Sequence, residues 1–409
     1  MFLIVFWKMW SKKIMIIRYN TCLFFAKIVY FCKNQRNKYR LFMRIGFDAK
    51  RIFFNHSGLG NYGRNIFSAL LEHYPIDEYF LFSPKPSTDF FQKEWTNVIL
   101  PQKMYKWLPS LWRNSHIGHD TKRYNLDIYH GLSNELPQDI RVSKTKSVVT
   151  IHDVIFMRYP QWYKWHDRMI YKKKTEFACR TADTIIATSY QTKQDLIHFL
   201  DVQEDKIQVI YQPCNIGFSV KPTQEQQEEI RKKYNLPAQF LLMVGNIEPR
   251  KNILNVINAV QNRNIDVPLV IVGKQNMYAK ELKNFIAQNN IKNVYFCHNV
   301  CSSDLPTVYN LASVFVYPSF FEGFGIPIIE ALSSGVPVIT SKASCLVETG
   351  GDAALYVKPD SVEDITVGIK TILDDTIFRN EIIKKGEEQV KKFAQETIAK
   401  EIMDLYKRL

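Results

Sequence analysis

From residue 44 onward, short apolar runs alternate with longer amphipathic stretches, the pattern of parallel strands covered by helices. The runs predict strands at 44–48, 78–82, 97–100, 126–130, 147–152, 184–188 and 207–211. A second series follows at 240–245, 268–273, 294–297, 314–318, 337–341 and 354–358. Between them, 3.6-residue periodicity predicts helices over 61–74, 190–200, 224–235, 252–262, 278–289, 304–312, 325–334 and 361–373. The polar, proline-marked stretch QPCNIGFSVKPTQEQQEEIRKKYNLP separates the two series. The economical reading is α/β: two doubly wound domains of comparable size facing a cleft, with the boundary near residue 216. The expected organisation is a leader over 1–43, a first domain over 44–215 and a second over 216–389. The final helix, 390–409, is assigned to pack back on the first domain.

Charge changes the picture only when it is located. The 409 residues carry 54 Lys and Arg against 40 Asp and Glu, a net +14 that suggests nucleic acid or a membrane surface. Nine of the basic residues and no acidic ones fall in residues 1–42, whereas residues 216–409 carry 22 of each sign. No run in this leader reaches the roughly 18–20 apolar residues of a spanning helix, because Lys8, Lys12, Lys13, Arg18 and Lys27 interrupt it. Two readings are weighed: an interfacial segment on anionic lipid, or a real start at Met43, with MRIGFDAK opening directly into the first strand. The second is the expected one, because the ordinary folded pattern begins there. Seven scattered cysteines with no two-residue-spaced pair point to free thiols in a reducing cytoplasm, not to a disulfide framework or a zinc site.

The strongest chemical signal is VYPSFFEGFGIPIIEALSSGVPVIT, residues 316–340. A strand ends at Pro318, a loop carries Glu322 and two glycines, and a helix begins near Gly325. Exposed amides at a helix start, with the helix dipole behind them, bind phosphate. Glu330 lies about 7.5 Å further along the helix, so one ligand can place a diphosphate at the helix start and a ribose beside Glu330. A glutamate inside IPIIEAL needs partners, which argues against an incidental acid. In MVGNIEPRKN, Arg250 and Lys251 follow a strand at the usual ligand edge of such a sheet, where they would neutralise a diphosphate leaving group. His152, in TIHDV, and His130, after LDIY, also follow strands. Gly58, Gly60 and Gly63 fit the dinucleotide fingerprint in spacing, but nine residues separate them from Asp48, which rejects an NAD site. They predict a flexible loop whose amides, especially that of Gly60, approach phosphate or acceptor.

With these residues in view, EGFGIPIIE, GNIEPRKN, VYPSFFEGFG and SSGVPVITS resemble the motifs of family 4 retaining glycosyltransferases of the GT-B fold, mannosyltransferases among them. RIGFDAKRIFFNHSGLGNYGRNI, LDIYHGLSNELP, VVTIHDVIF and ADTIIATSYQTKQDL are similar to segments of the family's other half. The likeness implies a nucleotide diphosphate sugar held by the second Rossmann-like domain and a glycan or lipid-linked acceptor held by the first. It implies that Glu330 holds the ribose and Lys251 the diphosphate, and that amides around Phe324, Gly325 and Ile326 bind the donor. Glu322 would stand near the sugar hydroxyls and His152 near the transferred sugar. At Asn246 many relatives carry an arginine, so either no second cation reaches the phosphates or Arg250 supplies it. The chain contains no Asp-x-Asp triplet, in keeping with side-chain cations and a helix dipole, and no metal, meeting the diphosphate.

The expected activity is therefore transfer of a hexose, with mannose from GDP-mannose the first guess, in surface polysaccharide or lipopolysaccharide assembly. A nucleotide-sugar 2-epimerase of the same fold is the alternative. KMYKWLPSLWR (103–113) and YPQWYKWHDRMIYKKK (159–174) interleave aromatic with basic residues, as surfaces resting on anionic lipid do. They mark the acceptor side and suggest a cytoplasmic protein peripheral to the inner face of the membrane. Nucleic acid is excluded as partner by the neutral C-terminal half and the donor-site motifs.

Overall fold

The computed structural model describes residues 42–409 apart from 56, 87–95, 103–104 and 263–264. All but the last two residues of the basic apolar leader thus lie outside the described residues, as do the first two positions of the 103–113 stretch. The first sheet comprises β1 (Arg44–Asp48), β2 (Glu78–Phe82), β3 (Thr96–Ile99), β4 (Ile128–Gly131), β5 (Lys146–Ile151), β6 (Thr184–Ala187) and β7 (Ile207–Val209). The second comprises β8 (Leu241–Val244), β9 (Leu269–Val272), β10 (Val294–Cys297), β11 (Val314–Tyr317), β12 (Val338–Ser341) and β13 (Ala354–Val357). Every predicted run overlaps a strand, and the central runs, buried on both faces, need no alternation to be recognised.

All pairings are parallel, in the orders β3-β2-β1-β4-β5-β6-β7 and β10-β9-β8-β11-β12-β13. Each sheet is α/β and doubly wound. The direction of winding reverses between β1 and β4 in the first and between β8 and β11 in the second. Such switch points open a crevice beyond the carboxyl ends of the strands, where ligands bind. Central strands are sealed: Leu241, Leu242, Val314, Phe315 and Val316 are fully buried.

Six helices carry or brace the ligand edge of the two sheets: α1 (Gly58–His73), α2 (Trp165–Thr181), α3 (Tyr190–Leu200), α4 (Ile253–Asn262), α5 (Ile326–Ser333) and α6 (Gln395–Arg408). Helix α6 packs along α1, and its Tyr406 hydroxyl lies 2.6 Å from His130 Nδ1.

The structure corrects one local expectation. Gly58, Gly60 and Gly63 do not form a flexible loop but the opening turns of α1. The Gly60 amide donates to Ser57 O at 2.9 Å, and a Cβ there would lie 1.8 Å from Asn55 O. Gly60 is therefore a close-packing glycine whose N–H is already used. The glycine-rich spacing suggested a loop because glycine weakens helices, but tight packing on the Lys50–Phe54 turn outweighs that preference.

Candidate active site

The loop after β8 reaches the loop after β11 through a short turn, Pro249–Lys251, closed by Asn252 in the left-handed region (φ 61°). Asparagine tolerates that conformation better than most residues. Its side-chain amide donates to Pro318 O at 3.1 Å, while Phe320 N donates to Arg250 O at 2.9 Å. Two ligand-edge loops are thereby stitched together, and three charges meet. Arg250 Nη1 donates to Glu322 Oε2 at 2.5 Å, and Lys251 Nζ donates to Glu322 Oε1 at 2.6 Å. Tyr317 at the end of β11 donates its hydroxyl to the same Oε1 at 2.9 Å and also contacts Lys251 Nζ.

Lys251 and Glu322 are buried. Burial raises the Glu322 pKa, but the two cations outweigh it and hold the carboxyl at about 2. Burial pulls the Lys251 ammonium down, with Glu322 opposing that pull. Arg250 also bonds Glu248, Nε to Oε2 at 2.8 Å, so two cations face two carboxylates. An arriving dianion would compete with Glu322 for them. Asn246 is exposed on the same loop, and the cation beside Lys251 is Arg250.

The signature loop then turns into α5. Gly325 sits at φ 98°, and a Cβ there would lie 2.9 Å from Leu346 Cδ2. The amides of Phe324, Gly325 and Ile326 have no partner among the described residues. The Phe324 ring is buried between Tyr211 and Phe393, 5.8 and 5.9 Å away between centroids, so this residue offers its backbone. On α5, Glu330 is partly exposed and accepts from the Tyr309 hydroxyl at 2.9 Å. Burial raises its pKa from 4.5 to about 7. The β12 side fixes Glu322 from behind: Glu322 N donates to Ser344 Oγ (3.2 Å), which returns a bond to Glu322 O (2.9 Å).

His152 follows β5 in the first sheet and is brought against this loop. A Cβ on Gly323 would lie 2.5 Å from His152 O. Ser189 Oγ donates to Gly323 O at 2.8 Å, and Thr192 Oγ1 lies 3.1 Å from His152 O and 3.3 Å from Gly323 O. Glu348 of the second domain accepts the first N–H groups of α3, from Tyr190 at 2.8 Å and Gln191 at 3.1 Å. Because His152 Nε2 faces Leu132 O at 2.9 Å, it carries the proton, which leaves Nδ1 as an acceptor. Burial holds this ring neutral, with its pKa lowered to about 4. His130 is placed differently. It is fully buried between Tyr406 and Thr150 and pushed down to about 3, a core histidine behind the site.

The structure thus gathers Glu322, Lys251, Arg250, Phe324, Gly325, Ile326, Glu330 and His152 at the facing edges of two sheets. Gly60 stands apart with its amide occupied. Residues that sequence reasoning does not single out are Asn252, Tyr317, Tyr309, Ser344, Thr192 and Glu348. Of these, Asn252 alone carries a sequence signal, an asparagine closing a turn after proline.

A family description, Glycosyl transferases group 1, matches residues 226–389, and Glycosyltransferase Family 4 matches residues 57–217. O-antigen chain mannosyltransferase B of Escherichia coli is 30% identical over 289 residues, 69% of this chain and 74% of that protein. The chain belongs to the family 4, group 1 glycosyltransferases. This glycosyltransferase is also 31% identical over 234 residues to O-antigen chain mannosyltransferase RfbU of Salmonella typhimurium, covering 56% of the chain and 62% of the relative. Its fold is similar to that of the sucrose-phosphate synthase of Thermosynechococcus elongatus, with a TM-score of 0.73 and 21% identity over 90% of this chain and 98% of that one. The architecture is GT-B, and the epimerase alternative finds no support among these relatives. Among the described residues, no three His, Cys, Asp or Glu side chains gather as a metal site would need, and no helix is long and apolar enough to cross a membrane.

The two aromatic-basic stretches divide. Trp112 and Arg113 turn inward: Trp112 is fully buried, and Arg113 pairs with Asp48 and Glu135 at 2.5 and 2.8 Å. Trp107 is 90% exposed and Trp165 73% exposed, with Leu108, Leu111, Met169 and Ile170 exposed as well.

Proposed function

We propose that this glycosyltransferase moves a mannosyl residue from GDP-mannose, with retention, to a glycan or lipid-linked acceptor in surface polysaccharide synthesis. The observation that carries the reading is the Arg250–Lys251–Glu322 cluster beside the open amides of 324–326, with Glu330 further along the same helix. The names of the two mannosyltransferase relatives support the choice of sugar. Open amides and the dipole of α5 suit a diphosphate, and Glu330 suits the ribose hydroxyls. Lys251 and Arg250 neutralise the charge that grows on the leaving phosphate. The acceptor oxygen bonds to C1 as the C1–O bond to phosphate breaks, and the hydroxyl proton passes to the departing phosphate oxygen on the same face of the sugar. His152, neutral with Nδ1 free to accept, binds a sugar hydroxyl. Residues of this chain suffice for the charge, so no metal is assigned.

A panel of nucleotide sugars tests the donor. GDP-mannose is expected to bind most tightly and to be slowly hydrolysed; equal, negligible binding of every donor would overturn the reading.

Glu330 gives a pH signature. An ionised carboxylate accepts both ribose hydroxyls, whereas the protonated group accepts less well. Donor affinity should therefore rise as pH climbs through about 7 and level off above it. The stability contribution runs the other way. The raised folded pKa favours the native state below the ordinary value of 4.5, and that benefit fades between there and about 7. Titration calorimetry from pH 5.5 to 8.5 checks this, with Glu330→Gln expected to bind weakly and flatly.

The exposed Trp107 and Trp165, with lysines near both, suit a cytoplasmic protein peripheral to an anionic membrane. Phosphatidylglycerol vesicles at low salt should sediment the full chain, and Trp107→Ala with Trp165→Ala should release it. Equal sedimentation of wild type and double variant would contradict this contact.

A further inference from the structure

Between His152 and α2 runs a segment that the donor site does not use, and it faces the signature loop from the first domain. Asp153 follows His152 directly. Its Oδ1 accepts the Ile155 amide at 3.1 Å, while Oδ2 has no hydrogen-bond partner among the described residues and the side chain is partly exposed. A Cβ on Gly323 would lie 2.7 Å from Asp153 Cβ and 3.2 Å from Oδ2, so this carboxylate rests against the loop residue beside Glu322.

Six residues on, Tyr159 and Trp162 stack almost parallel, with ring centroids 4.3 Å apart and planes 15° apart. Both are partly exposed, and Tyr159 meets Phe321 across the cleft at 5.1 Å. The stack is held in place. Arg158, its neighbour in the chain, bonds buried Asp195 at 2.5 Å and lies 5.5 Å over the Phe321 ring. Tyr163 is partly buried, and its hydroxyl too has no partner among the described residues.

We infer that Asp153, Tyr163 and the Tyr159–Trp162 stack form the acceptor subsite, and that it takes a neutral pyranose at the end of a glycan. This rests on the glycosyl-transfer reading above and adds the chemistry of the acceptor. Aromatic faces pack the C–H face of a sugar ring, and a free carboxylate oxygen accepts a hydroxyl proton in a hydrogen bond. Arg250 and Glu322 both act on this carboxylate with opposite sign, so the charge beside the stack is balanced and the subsite suits a neutral hydroxyl. Asp153 orients the attacking hydroxyl and ends the reaction as it began, since the proton leaves on the phosphate.

The test uses the full chain, GDP-mannose, and a mannose-terminated trisaccharide on a neutral fluorescent aglycone. Trp162→Ala should raise the acceptor KM roughly tenfold or more, the weight of about 1.4 kcal/mol of lost contact, with kcat at saturation within threefold. Trp162→Phe should recover most of that loss. Asp153→Asn should lower kcat/KM for the acceptor by a similar factor. GDP affinity, read by calorimetry, should stay within twofold in each variant and reports that the donor half is folded. Wild-type acceptor KM in both Trp162→Ala and Asp153→Asn, with GDP binding intact, overturns the subsite and leaves the donor reading standing. A wild-type chain that binds neither GDP nor UDP overturns the donor reading, and this one with it.

Discussion

Replacing Lys251 with alanine should lower transfer by about 10²–10³-fold while leaving a folded protein, because the proposed mechanism places this cation where charge develops in the transition state. The size follows from burial. Lys251 lies in a low-dielectric pocket with Glu322 and Tyr317 as neighbours, where an interaction with phosphate counts for more than it would in water. The fold should survive because Glu322 keeps its bond to Arg250 at 2.5 Å. The cost to stability should be about 1–3 kcal/mol, that of a buried group losing one of its hydrogen bonds. Steady-state kinetics together with a melting curve separate the two effects. A variant with wild-type turnover would remove Lys251 from the diphosphate site. Glu322→Gln would be a less clean experiment, since it strands the buried Lys251 and the half-buried Arg250 and mixes unfolding with catalysis.

Gly323→Ala should be nearly as damaging, and for a reason that involves no charge. The added methyl would lie 2.5 Å from the His152 carbonyl oxygen and 2.7 Å from Asp153 Cβ, neither of which is the end of a flexible side chain. The loop must back away, breaking the Ser189 bond to Gly323 O and displacing Glu322 next to it. A shift of about 1 Å at a reacting centre costs on the order of 10²-fold in rate, and overpacking a tight contact costs about 1–3 kcal/mol. Activity close to wild type, with an unchanged melting temperature, would mean that the two domains do not meet at this loop during turnover.

Both variants bear on what can be read from the chain itself. The strands are legible because continuous apolar runs such as LLMV and VFVY have no stable place except inside a covered sheet. Glu322, Glu330 and Lys251 are legible because charged residues beside strand ends and inside apolar runs need partners. What escapes is set by contacts distant in sequence. Nothing local tells that Gly323 meets His152, that Glu348 caps α3, or that Tyr309 satisfies Glu330, since these pairs are 21 to 171 residues apart. Gly60 misleads for the complementary reason. Its glycine spacing is a local signal for a loop, and the decisive fact is how closely the Asn55 carbonyl approaches. Asp153 is adjacent to His152 in the chain, yet the histidine ring takes the distant Leu132 carbonyl instead.

The +14 of the whole chain likewise changes meaning with position. In the proposed function the C-terminal half, with 22 residues of each sign, meets a dianionic donor through Lys251, Arg250 and an array of amides, so net charge is not the relevant quantity for that step.

The most direct test of the central claim is the configuration of the sugar first released when the enzyme slowly hydrolyses its donor, read by proton NMR before mutarotation. A retaining transferase that attacks from the face of the departing phosphate releases the same anomer as in the donor, α-mannose from GDP-α-mannose. Release of the β anomer would contradict the account, because it requires attack from the opposite face and a base on this chain that the mechanism does not use.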